Sequence, residues 1–185
     1  METSIIISGF GGQGTLFAGQ LLTYAALDYG KHCTWIPSYG PEMRGGTAHC
    51  TVIISDGEIG SPIVRNPDAV LAMNLPSLDK YETLIKPGGV MIANQSLINR
   101  DVKRQDFTTL MIPGNEMAEG LGNHRITNMV MIGAMLELVG VLPLEALKSA
   151  LDLHIPDRNR KFLPLNYKAL EAGAQFAREN LKQTA

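Results

Sequence analysis

A chain of 185 residues is long enough to bury a substantial core, and it reads as a single domain, 1–185, with 183–185 expected as a frayed tail. Its 45% apolar and 18% charged residues exclude a disordered chain, and a formal net charge of −2 with no Lys/Arg cluster argues against nucleic acid as a partner. Two cysteines, Cys33 and Cys50, and no C-x-x-C pair exclude a disulfide framework and a cysteine-held zinc or iron–sulfur site.

Taken in chain order, "SIIISGF" is a β-branched run bounded by glycine and predicts a buried strand. It ends within a few residues, and no basic segment precedes it, so neither a leader nor a membrane span is expected and the compartment is read as cytoplasmic. "TLFAGQLLTYAALDYG" places Leu16, Phe17, Leu21, Leu22 and Ala25 at helical spacing and stops at Gly30. "HCTWIPS" and "TAHCTVIIS" predict two further strands, and Asp56–Gly57 reads as the tight turn of a meander. "PDAVLAMN", "PGGVMIANQ" and "FTTLMIPGN" predict strands, with "SLDKYETLIK" a helix between the first two. Asn115 or Gly114 is poised to start the helix "EMAEGLG". "ITNMVMIGAMLELVG" predicts the most apolar helix, with Thr127 as a possible cap, and "LPLEALKSAL" follows with Pro143 at its start. An amphipathic helix from about Asn166 to Lys182 closes the chain. Strands alternating with helices imply an α/β fold whose sheet is covered on both faces, and the meander makes that sheet mixed.

Several residues read as structural. Met43, Met73, Met91, Met111, Met129, Met131 and Met135 suit core filling. His32, His49, His124 and His154 lack metal-ligand spacing and read as packing or surface histidines. "DRNRK", Asp157 to Lys161, reads as a solvated turn. Asn123, His124 and Arg125 precede a helix, where capping and an anion site are both open readings. Trp35 leads into a loop and reads as an anchor.

Two glycine-rich loops carry the functional signal. "GFGGQG" supplies Gly9, Gly11, Gly12, Gln13 and Gly14 in a G-x-G-x-x-G pattern between a strand and a helix. Glycines there permit positive φ and close approach, and a helix N-terminus offers free N–H groups to an anion. Gln13, polar and uncharged at the tip, suits hydrogen bonding to a ligand or a neighbouring chain. The second strand ends in Pro37-Ser38 with no acid for a ribose, which counts against NAD, and Asp28 falls inside the helix. Close strand–helix packing and contact with another phosphate or a partner's backbone stay open. The second loop is "PSYGPEMRGG", in which Tyr39, Gly40, Pro41, Glu42, Arg44, Gly45 and Gly46 form a rigid Pro/Gly scaffold presenting an aromatic, an acid and an arginine. Contact with a partner subunit, direct ligand contact through a bidentate Arg44, and an internal Arg44–Glu42 pair are the three readings.

Together "GFGGQG", "SYGPEMRGG" with "ISDGEIGSP", "NPDAVLAMN", "KPGGVMIAN" and "NMVMIGAMLELVG" resemble the gamma subunit of 2-oxoacid:ferredoxin oxidoreductases, most nearly the 2-oxoglutarate or branched-chain type. The resemblance implies a three-layer α/β/α sandwich with a mostly parallel sheet and a Rossmann-like first β-α unit. It implies a chain inactive alone, packed on alpha and beta subunits, with a ferredoxin-like delta subunit and ferredoxin as acceptor. Such complexes turn a 2-oxoacid and coenzyme A into an acyl-CoA and carbon dioxide. Thiamine pyrophosphate, Mg and iron–sulfur clusters are then held by the partner subunits, with no cofactor bound by this chain alone. No catalytic residue and no metal ligand is expected in it, and a homodimer is conceivable when the chain is isolated. The alternatives are a free-standing nucleotide- or CoA-binding module and a pure assembly subunit.

Overall fold

Three consecutive isoleucines put apolar side chains on both sides of one strand, which suits only the middle of a sheet covered above and below. In the computed structural model, which describes residues 1–38 and 47–181, that strand is β1 (Glu2–Phe10), buried from Thr3 to Gly9. The other strands are β2 (His32–Ser38), β3 (Thr47–Ser55), β4 (Ala69–Ala72), β5 (Val90–Asn94) and β6 (Thr108–Ile112), in the sheet order β2-β3-β1-β4-β5-β6. β1, β4, β5 and β6 are mutually parallel, whereas β3 runs antiparallel to both β1 and β2.

The mixed sheet is therefore as expected, but not through a meander at Asp56–Gly57. That turn leads into no paired neighbour: β4 lies on the far side of β1 from β3. Asp68 fixes the landing point, because its Oδ2 accepts from Ser4 N (2.8 Å) and Ser4 Oγ (2.6 Å) while Lys86 Nζ reaches its Oδ1 at 2.7 Å.

The helices are α1 (Thr15–Asp28), α2 (Leu75–Tyr81), α3 (Gly114–Gly120), α4 (Thr127–Val139), α5 (Leu144–His154) and α6 (Leu163–Leu181). They cover the two faces unequally. Ile5, Ile7, Val52, Leu71 and Ile92 face a thick layer drawn from α1, α3, α4, α5 and α6, whereas Ile6, Val70, Ala72 and Met91 face α2 alone among the helices, with Leu78, Tyr81 and Ile85. Met73, Met91, Met129, Met131 and Met135 are buried as expected.

Two features of the construction fix the position of α4 and the link to β6. First, α4 and α6 cross so closely that a Cβ on Gly133 would collide with Leu170 O, and one on Gly173 with Val130 O. Backbone meets backbone there, which fixes the height of α4 against the sheet. Second, β5 reaches β6 without a helix, and the irregular connection is held by buried Glu82. Its carboxylate accepts from Arg104 N (3.1 Å), from Lys103 N and from Arg100 Nη2 (2.7 Å). Burial alone would raise the Glu82 pKa, but Arg100 and the two amides outweigh it and hold the group below the ordinary glutamate value.

α3 begins at Gly114, one of the two expected starts, with Pro113 in the cap position. Other boundaries differ from expectation. Thr127 is no cap: it is the first residue of α4, and its Oγ1 donates back to His124 O at 2.8 Å. α6 begins at Leu163 because the 3₁₀ turn Asp157–Phe162 runs directly into it.

Candidate functional site at the carboxyl edge of the sheet

The turn after β1 closes on itself. Phe10 N donates to Gln13 Oε1 (2.6 Å) and Gln13 N to Phe10 O (3.2 Å), and α1 begins at Thr15 with no side-chain cap. The glycines do different work. A Cβ on Gly9 would stand 2.6 Å from Gln13 Oε1 and 2.7 Å from Met73 Cβ, so that position is closed by packing. Gly14 has φ 75°, and a Cβ there would collide with Asn128 Nδ2. Gly12 has φ 94° and open space where a Cβ would point. Close packing thus accounts for Gly9 and Gly14, while Gly11 and Gly12 are exposed and Gly12 leaves open space beside it.

That open space is a pocket of about 450 Å³ lined by Gly12, Gln13, Met73, Asn115, His124, Arg125 and Thr127. It lies where β1 and β4 end and α1, α3 and α4 begin, the crevice in which open α/β sheets present their binding groups. Behind the lining stand the buried carboxamides of Asn74, Asn94 and Asn128, which brace it. Asn74 Nδ2 donates to Gln13 Oε1 (3.4 Å), Asn94 Nδ2 to Met73 O (3.3 Å) and to Asn115 Oδ1 (3.1 Å), and Asn94 Oδ1 accepts from Gly114 N (3.2 Å). Asn128 Nδ2 donates to Gly14 O at 3.2 Å, tying the start of α4 to the glycine turn. Asn74 also caps α2 through Ser77 N at 3.0 Å.

Charge in the pocket is one-sided. Among the described residues, Arg125 and His124 are exposed in its lining and no carboxylate lines it. Arg125 makes no ion pair among the described residues. Glu116, in the first turn of α3, is engaged by Ser96 Oγ, and that hydrogen bond holds its pKa below the ordinary value. The start of α1, an arginine and neutral amides suit a negatively charged ligand, and among the described residues the lining supplies neither a nucleophile nor an acid–base pair.

The two readings of Asn123–Arg125 both find a place: Asn123 Oδ1 accepts from Arg125 N (3.0 Å) as a cap, while His124 and Arg125 turn toward the pocket. The sequence suggests Gln13 as a hydrogen-bonding group for a ligand, yet much of its amide is occupied inside the turn. The loop 39–46, with Tyr39, Gly40, Pro41, Glu42, Arg44, Gly45 and Gly46, lies outside the described residues, as does Met43. Its flanks are placed: Thr47 pairs with Phe10, and Ser38 pairs with His49, so both ends stand at the same edge as the glycine turn.

The cysteines take no part. Cys50 is sealed under α1, its Sγ donating to Thr15 O (3.6 Å), and burial pushes its pKa up to about 11 against smaller lowering effects from Trp35 and Gly19. Burial likewise raises Cys33, which donates to Thr23 O at 3.6 Å. Trp35 packs inward against the same layer. No cluster of metal-ligating side chains occurs among the described residues. Asp28 pairs with His154 (2.8 Å) at the far end of α1, away from the glycine turn. No helix among the described residues is long and apolar enough to cross a membrane.

Fold and site define a class: an α/β chain with an anion-receptive crevice and no redox or nucleophilic centre among its described residues. The profile of the pyruvate ferredoxin/flavodoxin oxidoreductase family matches residues 4–176, and the chain belongs to that family. It is 38% identical over 182 residues to subunit VorA of a ketoisovalerate oxidoreductase from Methanothermobacter marburgensis, covering 98% of this chain but 38% of the relative. It is 35% identical over 189 residues to the 2-oxoglutarate synthase subunit KorC of the same organism, covering 98% of this chain and all of that subunit. The gamma subunit of a keto/oxoacid ferredoxin oxidoreductase from Geobacter sulfurreducens matches in structure with a TM-score of 0.82 and 35% identity, over 95% of this chain and 98% of that one.

Proposed function

We propose that this chain is the gamma-type subunit of a heteromeric, thiamine-pyrophosphate-dependent 2-oxoacid:ferredoxin oxidoreductase, and that its crevice receives the anionic part of coenzyme A. The observation that carries the reading is the pocket over Gly12, cationic through Arg125 and free of lining carboxylates among the described residues. A phosphate there meets the amides at the start of α1 and a guanidinium that reads it bidentately. The carboxamide row holds these donors in place before the ligand arrives, which lowers the cost of binding.

In this reading the chain binds and positions and does no bond chemistry. Thiamine pyrophosphate with Mg supplies carbanion chemistry in the alpha and beta subunits, and iron–sulfur clusters there and in the delta subunit pass two electrons to ferredoxin. The protonated thiols of buried Cys50 and half-buried Cys33 fit a division of labour in which redox centres lie elsewhere. The oxoacid is of the 2-oxoglutarate or branched-chain class, the loop 39–46 meets the partner subunits, and the complex works in the cytoplasm.

The test is reconstitution. The partner subunits are assayed for CoA-dependent oxoacid oxidation with and without this chain, loaded with thiamine pyrophosphate and iron. The expected result is acyl-CoA formation only when the chain is present. Full turnover in its absence would refute the proposal.

A further inference from the structure

A carboxamide is polar in one direction: its oxygen only accepts and its nitrogen only donates, so what it offers a ligand depends on which end the protein holds. Two residues lining the crevice, Gln13 and Asn115, carry this group. In both, the oxygen is held. Gln13 Oε1 accepts from Phe10 N (2.6 Å) and, at the longer distance of 3.4 Å, from Asn74 Nδ2. Asn115 Oδ1 accepts from Asn94 Nδ2 at 3.1 Å. Asn115 is half-buried, and its Nδ2 has no partner among the described residues. Gln13 Nε2 gives one proton to Met73 O at 3.4 Å and keeps the other.

The asparagines behind them cannot turn over. Asn94 is fully buried; its Oδ1 accepts from Gly114 N (3.2 Å), and its Nδ2 donates to Met73 O (3.3 Å) as well as to Asn115. A backbone N–H can only donate and a carbonyl can only accept, so the reverse orientation of Asn94 would break both backbone bonds. Asn74 is buried and set the same way. Its Oδ1 accepts from Ser77 N (3.0 Å) and Ser77 Oγ (2.7 Å), which leaves its nitrogen for Gln13. A direction fixed by a backbone amide thus passes through a buried asparagine to a carboxamide at the crevice, once behind β5 and once behind β4.

We propose that Asn115 donates to the ligand in the crevice and that Asn94 is the positioning residue that turns its nitrogen outward, with Asn74 doing the same for Gln13. The two carboxamides then select a group that accepts without donating, as a phosphate oxygen does. The inference rests on the reading that the crevice receives the anionic part of coenzyme A, and it names the residues that set the preference. Because backbone groups fix the polarity before binding, the ligand does not bear the cost of turning the amides.

The test is calorimetric titration of the reconstituted complex with CoA, without 2-oxoacid, so that Kd rather than turnover is read. Asn115→Leu removes the donor and is expected to raise Kd on the order of tenfold. Asn94→Asp keeps the bond from Gly114 N but cannot donate, so Asn115 turns over and shows its oxygen to the ligand; Kd should rise further than with Asn115→Leu. Asn94→Leu breaks every bond of Asn94 yet leaves Asn115 free to turn its nitrogen to the ligand, so it should cost less affinity than Asn94→Asp. In the Asn115→Leu background, Asn94→Asp should change Kd by less than about twofold, because its effect runs through Asn115. Thermal unfolding checks that each variant is folded, and Asn115→Leu, at a half-buried position, tests the donor by itself. A wild-type Kd for Asn115→Leu, with Arg125→Gln raising Kd, would overturn the inference and leave the CoA reading standing. Additive costs of Asn94→Asp and Asn115→Leu would also overturn it, as would an Asn94→Leu at least as costly as Asn94→Asp. A wild-type Kd for both Asn115→Leu and Arg125→Gln would overturn the CoA reading itself.

Discussion

The two edges of the sheet use the same device for different ends. At the amino edge Gly30 and Gly140 take φ of 78° and 65° after the ends of α1 and α4, Gly88 takes 76° before β5, and Lys31 pairs with Asp56. Those glycines reverse the chain; Gly140 and Gly88 border pockets of about 110 and 240 Å³, whereas Gly30 lines neither. At the carboxyl edge Gly12 takes φ 94°, but amides, a histidine and an arginine from separate segments stand around the open space above it. Positive φ thus says that a glycine is needed, and only the neighbours say for what.

The comparison is broken most severely from a distance. Gly173→Ala places a methyl against Val130 O, and Gly133→Ala one against Leu170 O, where backbone cannot yield. Each is expected to cost more than about 3 kcal/mol, read by thermal unfolding. Any folded remnant should have lost the crevice, because α4 carries Thr127 and Asn128 to it.

Next comes Glu82→Gln, which removes the charge that Arg100 and two amides face and is expected to cost about 3 kcal/mol in denaturant unfolding at pH 7. Since the folded pKa of Glu82 is lowered, its contribution is present above the ordinary glutamate value and is lost as pH falls through the folded value. The wild type should therefore lose stability on acidification by more than the variant does.

Cys50 gives the opposite limb. Its pKa rises from 9.0 to about 11 on folding, so its contribution is whole below pH 9 and disappears as pH climbs to about 11. This amounts to about 2–3 kcal/mol. Cys50→Ala should flatten the wild-type decline between pH 9 and 11. Tyr167, pushed up to about 12 by burial and Asp152, adds a similar decline from pH 10 that the variant retains.

Much of the fold was legible because it is local. The β1–glycine–α1 unit, the apolar α4 and every other strand and helix followed from runs, periods and glycine stops. Strand order was not, because β3 inserts between β1 and β2 through distant pairings such as Ile5 with Val52, and "DG" after β3 imitates a hairpin turn. The site was half legible. "GFGGQG" announced itself, but nothing local ranks Asn74, Asn94 and Asn128 above other asparagines. The usable signal was positional: an asparagine closes each of the apolar runs "AVLAMN" and "VMIAN", where parallel strands end at their binding edge. Arg125 stands out in the sequence without its destination, since it reaches Gly12 only through the packing of α4.

The smallest effect on stability separates the edges most cleanly. Gly12→Ala and Gly30→Ala both place a methyl in open space at positive φ, so each should cost only about 1–2 kcal/mol. The decisive measurement is the KM for CoA of the reconstituted complex carrying each variant in turn. Gly12→Ala should raise it on the order of tenfold, equivalent to about 1.4 kcal/mol of lost binding, while Gly30→Ala leaves it at the wild-type value. Equal KM values for the two variants would contradict the claim that the crevice over Gly12 holds the ligand.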